Sequence, residues 1–369
     1  MARNLAERQG FEPWIRFWRI LTFQASAFDH SATAPHALET RALTAWKRFR
    51  KAAKAGKVGF MKHAVILCAA LLVSCSAAPA PAPTQGPALA PTEIVAAAPA
   101  ADWAAIAPSD LLVMDLAPDA KGAARRVVMQ LLPAPFSQGW IGNIRQLATA
   151  KWWDGTAVNR VQDGYVVQWG DPDGEDKAKA KPLPAGMKVV PKEAYDTPYS
   201  SGFATSLSLM QDGVYAPHVG FREGWPVGWN AEAAWPVHCY GTVGVGRDYP
   251  PDTGSGAELY TVIGQAPRQL DRNIAVVGRV IEGMEHLSSL PRGTGDIGFY
   301  KTAEERTAIL RIRIGSDVPG LPRYQYLSTE SKSFAAYADA RANRRDSFYI
   351  RPAGGVDICN VPVPVRRVR

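Results

Sequence analysis

A guanidinium and a carboxamide, Arg160 and Gln168, lie eight positions apart in the apolar, β-prone stretch Val158-Asn159-Arg160-Val161-Gln162-Asp163-Gly164-Tyr165-Val166-Val167-Gln168-Trp169-Gly170-Asp171. Polar groups in such surroundings are costly unless they have hydrogen-bonding work to do. Arginine brings a fixed charge and a planar fork of donors, and an amide both donates and accepts. Alternation of Val158, Arg160 and Gln162 against Asn159 and Val161 predicts one strand, Tyr165 to Gln168 the next, and Asp163-Gly164 the turn between them. Paired as a hairpin, these strands would set Arg160, Tyr165 and Gln168 on one surface able to hold a peptide.

The elements that must position this surface can be read on both sides of it. Residues 110–116 and 126–132 form a first pair of strands around a turn at 118–122, and 241–246, 258–263, 274–281 and 308–314 supply further strands. Trp140, Ile141, Ile144 and Leu147 recur at helical spacing, and 283–290 reads as a second helix. Many strands with two helices suit a closed barrel. Two parts exceed that plan. Residues 173–240 carry Trp225, Trp229 and Trp235 among glycines and prolines, and read as a long loop packed on the barrel, with a peptide or glycan platform as the alternative. From 318 onward a helix with Phe334, Tyr337 and Ala338 on one face precedes a Pro/Val-rich end, expected as an appendage against the barrel.

The signature stretch resembles that of the cyclophilins, in which Phe-His-Arg is followed after a short turn by Gly-Phe-Met, a spacer and Gln-Gly-Gly-Asp. Arg160 and Gln168 fall on the family's catalytic arginine and glutamine, Tyr165 on a pocket phenylalanine, Val166 on its methionine, and Gly170-Asp171 on the closing Gly-Asp. Downstream, residues 241–247 sit where the family has Gly-Ile-Leu-Ser-Met-Ala-Asn. Ala257-Glu258-Leu259-Tyr260 resembles Ser-Gln-Phe-Phe, and 270–284 resembles the run from Leu-Asp-Gly to Val-x-Glu-Gly-Met. The resemblance implies a mainly β protein: a closed antiparallel eight-stranded barrel capped by two helices, within a domain at 102–317 that carries the long Trp-rich insertion 173–240 and is followed by a C-terminal extension, 318–369.

It also implies peptidyl-prolyl cis-trans isomerisation. Rotation breaks amide resonance against a barrier of about 18–20 kcal/mol, and a catalyst need only favour the twisted amide, with no cofactor and no covalent intermediate. Arg160 would stabilise the developing nitrogen lone pair, and Gln168 would bond the rotating peptide group. Tyr165, Val166, Tyr260 and Leu270 would grip the proline ring, with Asn159 and Glu258 completing the substrate-binding set. The sequence departs from the family at four positions. Asn159 replaces a histidine, Glu258 a glutamine and Gln269 a pocket tryptophan, and Ile274 sits where a histidine is common. A peptide-binding or chaperone-like module with little or no catalysis therefore stands as the alternative.

The net charge of +8 is confined to one end. Residues 1–60 hold eleven Lys/Arg and four Asp/Glu, a balance of +7, Lys62 supplies the remaining unit, and the rest is neutral. That removes the chief support for nucleic-acid binding. The expected partners are proline-containing unfolded or exported polypeptides, with the protein a monomer. Met61-Lys62-His63 followed by an apolar run to Val73 has the form of a secretory signal. Leu72-Val73-Ser74-Cys75 resembles the lipobox of bacterial lipoproteins, with Cys75 as the lipidated residue and Ser76 compatible with the outer membrane. The organisation expected is an upstream extension at 1–60 preceding a true start at Met61, a signal and lipobox at 61–75, and a Pro/Ala tether at 76–101. The resulting address is the periplasm, lipid-anchored to a bacterial membrane, the outer membrane being favoured. Cys239 and Cys359 could pair or remain separate thiols. His218, His238 and His286 lack ligand spacing, so no metal site is expected and each is read as satisfied or exposed.

Overall fold

The structure, a computed structural model, describes residues 88–199, 205, 207–209 and 214–368. The upstream extension, the signal and lipobox with Cys75, and the tether up to residue 87 lie outside the described residues. Along the chain, helix α1 (Pro91–Ala97) and strand β1 (Trp103–Ile106) precede the hairpin β2 (Leu111–Leu116) and β3 (Arg125–Leu131). Asp119 closes that hairpin by accepting the N–H groups of Lys121 and Ala123 at 2.8 and 2.9 Å. Helix α2 (Gln138–Thr149) follows, burying Trp140, Ile141, Ile144 and Leu147 as their spacing predicts. The signature hairpin is β4 (Ala157–Val161) and β5 (Val166–Gly170).

Residues 173–240 are not the expected long loop. They build β6 (Thr197–Pro198), β7 (Leu207–Leu209), β8 (His218–Arg222), β9 (Trp225–Trp229) and β10 (Ala233–Pro236), which pair as a sheet in the order β6-β10-β9-β8-β7. Trp225, Trp229 and Trp235 are 4, 7 and 2% exposed, which removes the platform reading; the first two pack into the barrel's core.

The chain returns to the barrel with β11 (Thr242–Val245), β12 (Leu259–Val262), β13 (Val276–Glu282), helix α3 (Met284–Ser288) and β14 (Thr307–Ile314). Eight strands close in the order β11-β12-β5-β4-β14-β2-β3-β13 with antiparallel neighbours, the fold class expected. Met114, Val127, Met129, Val158, Val167, Trp169, Leu259 and Ile312 fill it, joined by the apolar face of α2 and by Leu287 of α3.

The C-terminal extension forms β15 (Tyr324–Leu327), α4 (Lys332–Ala342) and β16 (Val365–Arg367). It is more than an appendage on the barrel. β15 lies between β1 and β16 in a three-stranded sheet, and Phe334, Tyr337 and Ala338 share a second core with Phe221, Trp235 and Trp103. Ile94, Val95 and Ala98 pack on this core too, so the described end of the expected tether is a folded part. The physical reason is amphipathy: one face of α4 and one face of the insertion sheet are apolar, and each needs the other to leave water. A Cys239–Cys359 disulfide, with Cα atoms 5.1 Å apart, ties the two, settling the pairing the sequence left open.

Candidate active site

Cross-strand register assembles the site. Arg160 of β4 pairs with Gln168 of β5, Gln168 with Tyr260 of β12, and Tyr260 with Gly244 of β11. The row therefore crosses four neighbouring strands on one face, while Val167, Trp169, Leu259, Val243 and Val245 of the same strands enter the core. A register shift between Val158 and Arg160 brings the arginine opposite Gln168, leaving Asn159 as the extra residue of a bulge. Asn159 is 8% exposed; its carbonyl accepts the Tyr300 N–H at 2.9 Å, and its side-chain oxygen has no partner among the described residues.

Arg160 is held on several sides. Its Nη1 donates to Gln168 Oε1 at 3.0 Å, its Nε to the Ile297 carbonyl at 2.8 Å, and its Nη2 to Gln162 Oε1. The rings of Phe299 and Tyr165 stand 5.3 and 5.7 Å from its Cζ. Burial lowers its pKa to about 10, which leaves the guanidinium charged at neutral pH. Gln168 in turn donates through Nε2 to Glu258 Oε1 at 2.6 Å. Burial pushes the Glu258 carboxyl up to about 7, outweighing the Gln168 hydrogen bond that lowers it. Burial likewise raises the Tyr165 phenol, with the Arg160 charge opposing. The result is a relay Arg160–Gln168–Glu258 with fixed orientation, since Gln168 accepts at one end and donates at the other.

Val166, Tyr260 and Leu270 are 2, 5 and 6% exposed, and Leu270 ends the one-turn helix Arg268–Leu270. Val166 lies on the same strand as Gln168 and Tyr260 pairs with Gln168 across β5 and β12, while Tyr165, Gln168 and Glu258 are half-buried. Gln269, in place of a pocket tryptophan, is exposed. Sequence reasoning missed Gln162, which period-2 alternation from Arg160 could have flagged. It also missed Ile297 and Phe299, on a segment whose 137-residue separation from Arg160 leaves no local signal. A charged guanidinium and a carboxamide beside aromatic rings suit polarising a peptide while contacting an apolar ring. Among the described residues no cluster of three or more His, Cys, Asp or Glu side chains is placed to hold a metal ion.

The sequence profile of the family "Cyclophilin type peptidyl-prolyl cis-trans isomerase/CLD" matches residues 139–314. A Synechocystis protein assigned as a thylakoid lumen peptidyl-prolyl cis-trans isomerase is 24% identical over 173 residues, 45% of this chain and 41% of its own length. A chloroplastic peptidyl-prolyl cis-trans isomerase of Arabidopsis thaliana is 26% identical over 183 residues, 48% of this chain and 37% of its own length. The chain thus spans less than half the length of these curated relatives. Among solved structures, a cyclophilin from Hirschia baltica superposes with a TM-score of 0.54 at 19% identity, covering 72% of this chain and 93% of its own, a likeness of fold.

Proposed function

We propose that the chain, whose residues 139–314 match the cyclophilin-type peptidyl-prolyl cis-trans isomerase family, catalyses rotation about Xaa-Pro bonds at Arg160 and Gln168. The observation that carries this reading is the 3.0 Å contact between Arg160 Nη1 and Gln168 Oε1, beside the Tyr165 ring. The twisted imide nitrogen gains lone-pair character, and a charged guanidinium already desolvated and pinned stabilises it without reorganising. Gln168 bonds the rotating peptide group, and Tyr165, Val166, Tyr260 and Leu270 take the proline ring. Removing a preorganised donor of this kind costs about 100-fold or more in rate. An isomerisation assay on Xaa-Pro peptides should show that loss for Arg160→Ala; equal rates for variant and wild type would defeat the assignment.

One observation favours a second reading. Arg160 is only 4% exposed and spends three donors inside the protein, which suits a module that binds prolyl peptides and turns them over slowly. Undiminished client binding with negligible turnover would select it.

We further propose that the substrates are proline-containing unfolded or exported polypeptides, handled by a monomer in an oxidising, extracytoplasmic compartment. The Cys239–Cys359 disulfide supports such a setting, and the two curated relatives are described as lumenal and chloroplastic. The lipobox-like run ending at Cys75 supports a lipid anchor in a bacterial outer membrane, facing the periplasm. Cys75→Ala should move the protein from the membrane to the soluble fraction; unchanged fractionation would remove the anchor.

A further inference from the structure

From Tyr260 runs a chain of buried polar contacts that the mechanism above does not use. The Tyr260 hydroxyl lies 2.8 Å from His238 Nε2, and the two rings are nearly parallel, 6° apart, with centroids 6.3 Å apart. His238 has no exposed surface. Its Nδ1 lies 2.9 Å from Asp271 Oδ1, and the same oxygen accepts the His238 backbone N–H at 2.9 Å. Asp271 Oδ2 accepts Arg268 Nε at 2.6 Å. Both Asp271 oxygens are thus engaged, and the Tyr260 hydroxyl and His238 Nε2 share one hydrogen bond. Burial holds that phenol well above its ordinary pKa, so it keeps its proton at any working pH.

Gly244 completes the arrangement. A Cβ there would stand 2.3 Å from both Cζ and the hydroxyl oxygen of Tyr260. The phenol tip thus occupies a notch that only glycine leaves open.

We propose that Gly244, His238 and Asp271 are positioning residues that lock the Tyr260 ring as the floor of the proline site, and so set the affinity for the prolyl ring. The proposal rests on the isomerase reading for what the ring grips. A fixed ring grips ground state and twisted state alike, so releasing it should change KM and not kcat.

The test compares wild type, Tyr260→Phe, His238→Gln and the double variant, in kcat and KM for an Ala-Pro-containing peptide. Tyr260→Phe removes one hydrogen bond, of about 1 kcal/mol, which corresponds to a rise in KM of roughly fivefold; His238→Gln removes the same bond together with the Nδ1 contact to Asp271, so its KM should rise at least as much. The kcat should stay within about twofold. The double variant should be no worse than His238→Gln alone, because the Tyr260 hydroxyl acts only through His238. Additive effects, an unchanged KM in Tyr260→Phe, or a loss confined to kcat would each overturn the proposal; a merely structural role for His238 would give additivity. Tyr260→Phe keeps the ring and decides the matter alone if His238→Gln does not fold. Should wild type bind the peptide without isomerising it, the isomerase reading fails separately, and the same fivefold pattern is read in the peptide Kd.

Discussion

Glu258 makes a quantitative test of how the site is built. A Cβ at Gly246 would stand 2.9 Å from Glu258 Cγ and one at Gly170 3.3 Å away, so the acidic stem is sandwiched between two backbones. Desolvation there, with Glu175 and Asp171 nearby, raises the carboxyl from 4.5 to about 7 against the opposing pull of Gln168 and Arg160. Between those two values the folded chain holds a proton that the unfolded chain has released. Stability therefore falls as pH rises through this window and levels off above it. The gap between 4.5 and about 7, at about 1.4 kcal/mol per pH unit, amounts to at most about 3 kcal/mol. Glu258→Gln keeps an acceptor for the Gln168 amide and has no charge to desolvate. Urea unfolding of both proteins at pH 5, 6, 7 and 8 should show wild type losing up to about 3 kcal/mol relative to the variant between the ends of the range. Parallel stability curves would refute the desolvation argument, since other carboxylates are common to both proteins and cancel.

Other outcomes follow from the same geometry. Cys359→Ser opens a loop closed over 120 residues, and on the chain-entropy account should cost about 4–5 kcal/mol, visible as a lowered melting temperature that matches reduced wild type. Gly283 has φ +82°, and a Cβ there would meet the Arg126 carbonyl oxygen at 2.1 Å, so Gly283→Ala should lose about 1–3 kcal/mol from backbone strain with the clash added, measured by denaturant titration. Ile312 is fully buried in the barrel, and Ile312→Ala should cost about 2–5 kcal/mol by the same titration. Ending the chain at residue 317 strips the second core of Phe334 and Tyr337 and bares Trp103, Phe221 and Trp235; the truncated protein should lose cooperative unfolding and bind a hydrophobic dye.

Local periodicity exposed the parts of the molecule whose faces are set by neighbours in sequence. The helix at Gln138–Thr149 and the hairpins around Arg160 and Asp119 follow from 3.6- and 2-residue alternation and from turn residues. The insertion escaped because its strands are two to five residues long and broken by glycine and proline, too short for any period to register. The Asn159 bulge escaped because alternation assumes a regular pleat, and the shift is imposed by the partner strand.

By itself the sequence determined the chemical inventory: a guanidinium, a carboxamide and an aromatic ring on one strand pair, and apolar stripes sufficient to build a barrel. Only the tertiary structure decided what surrounds that inventory. The Ile297 carbonyl fixes Arg160 from 137 positions away, His238 fixes the Tyr260 hydroxyl, and two glycines press Glu258 out of water. These are contacts between faces whose meeting depends on how the barrel closes, and closure is set by the summed burial of the whole chain, which no local stretch encodes.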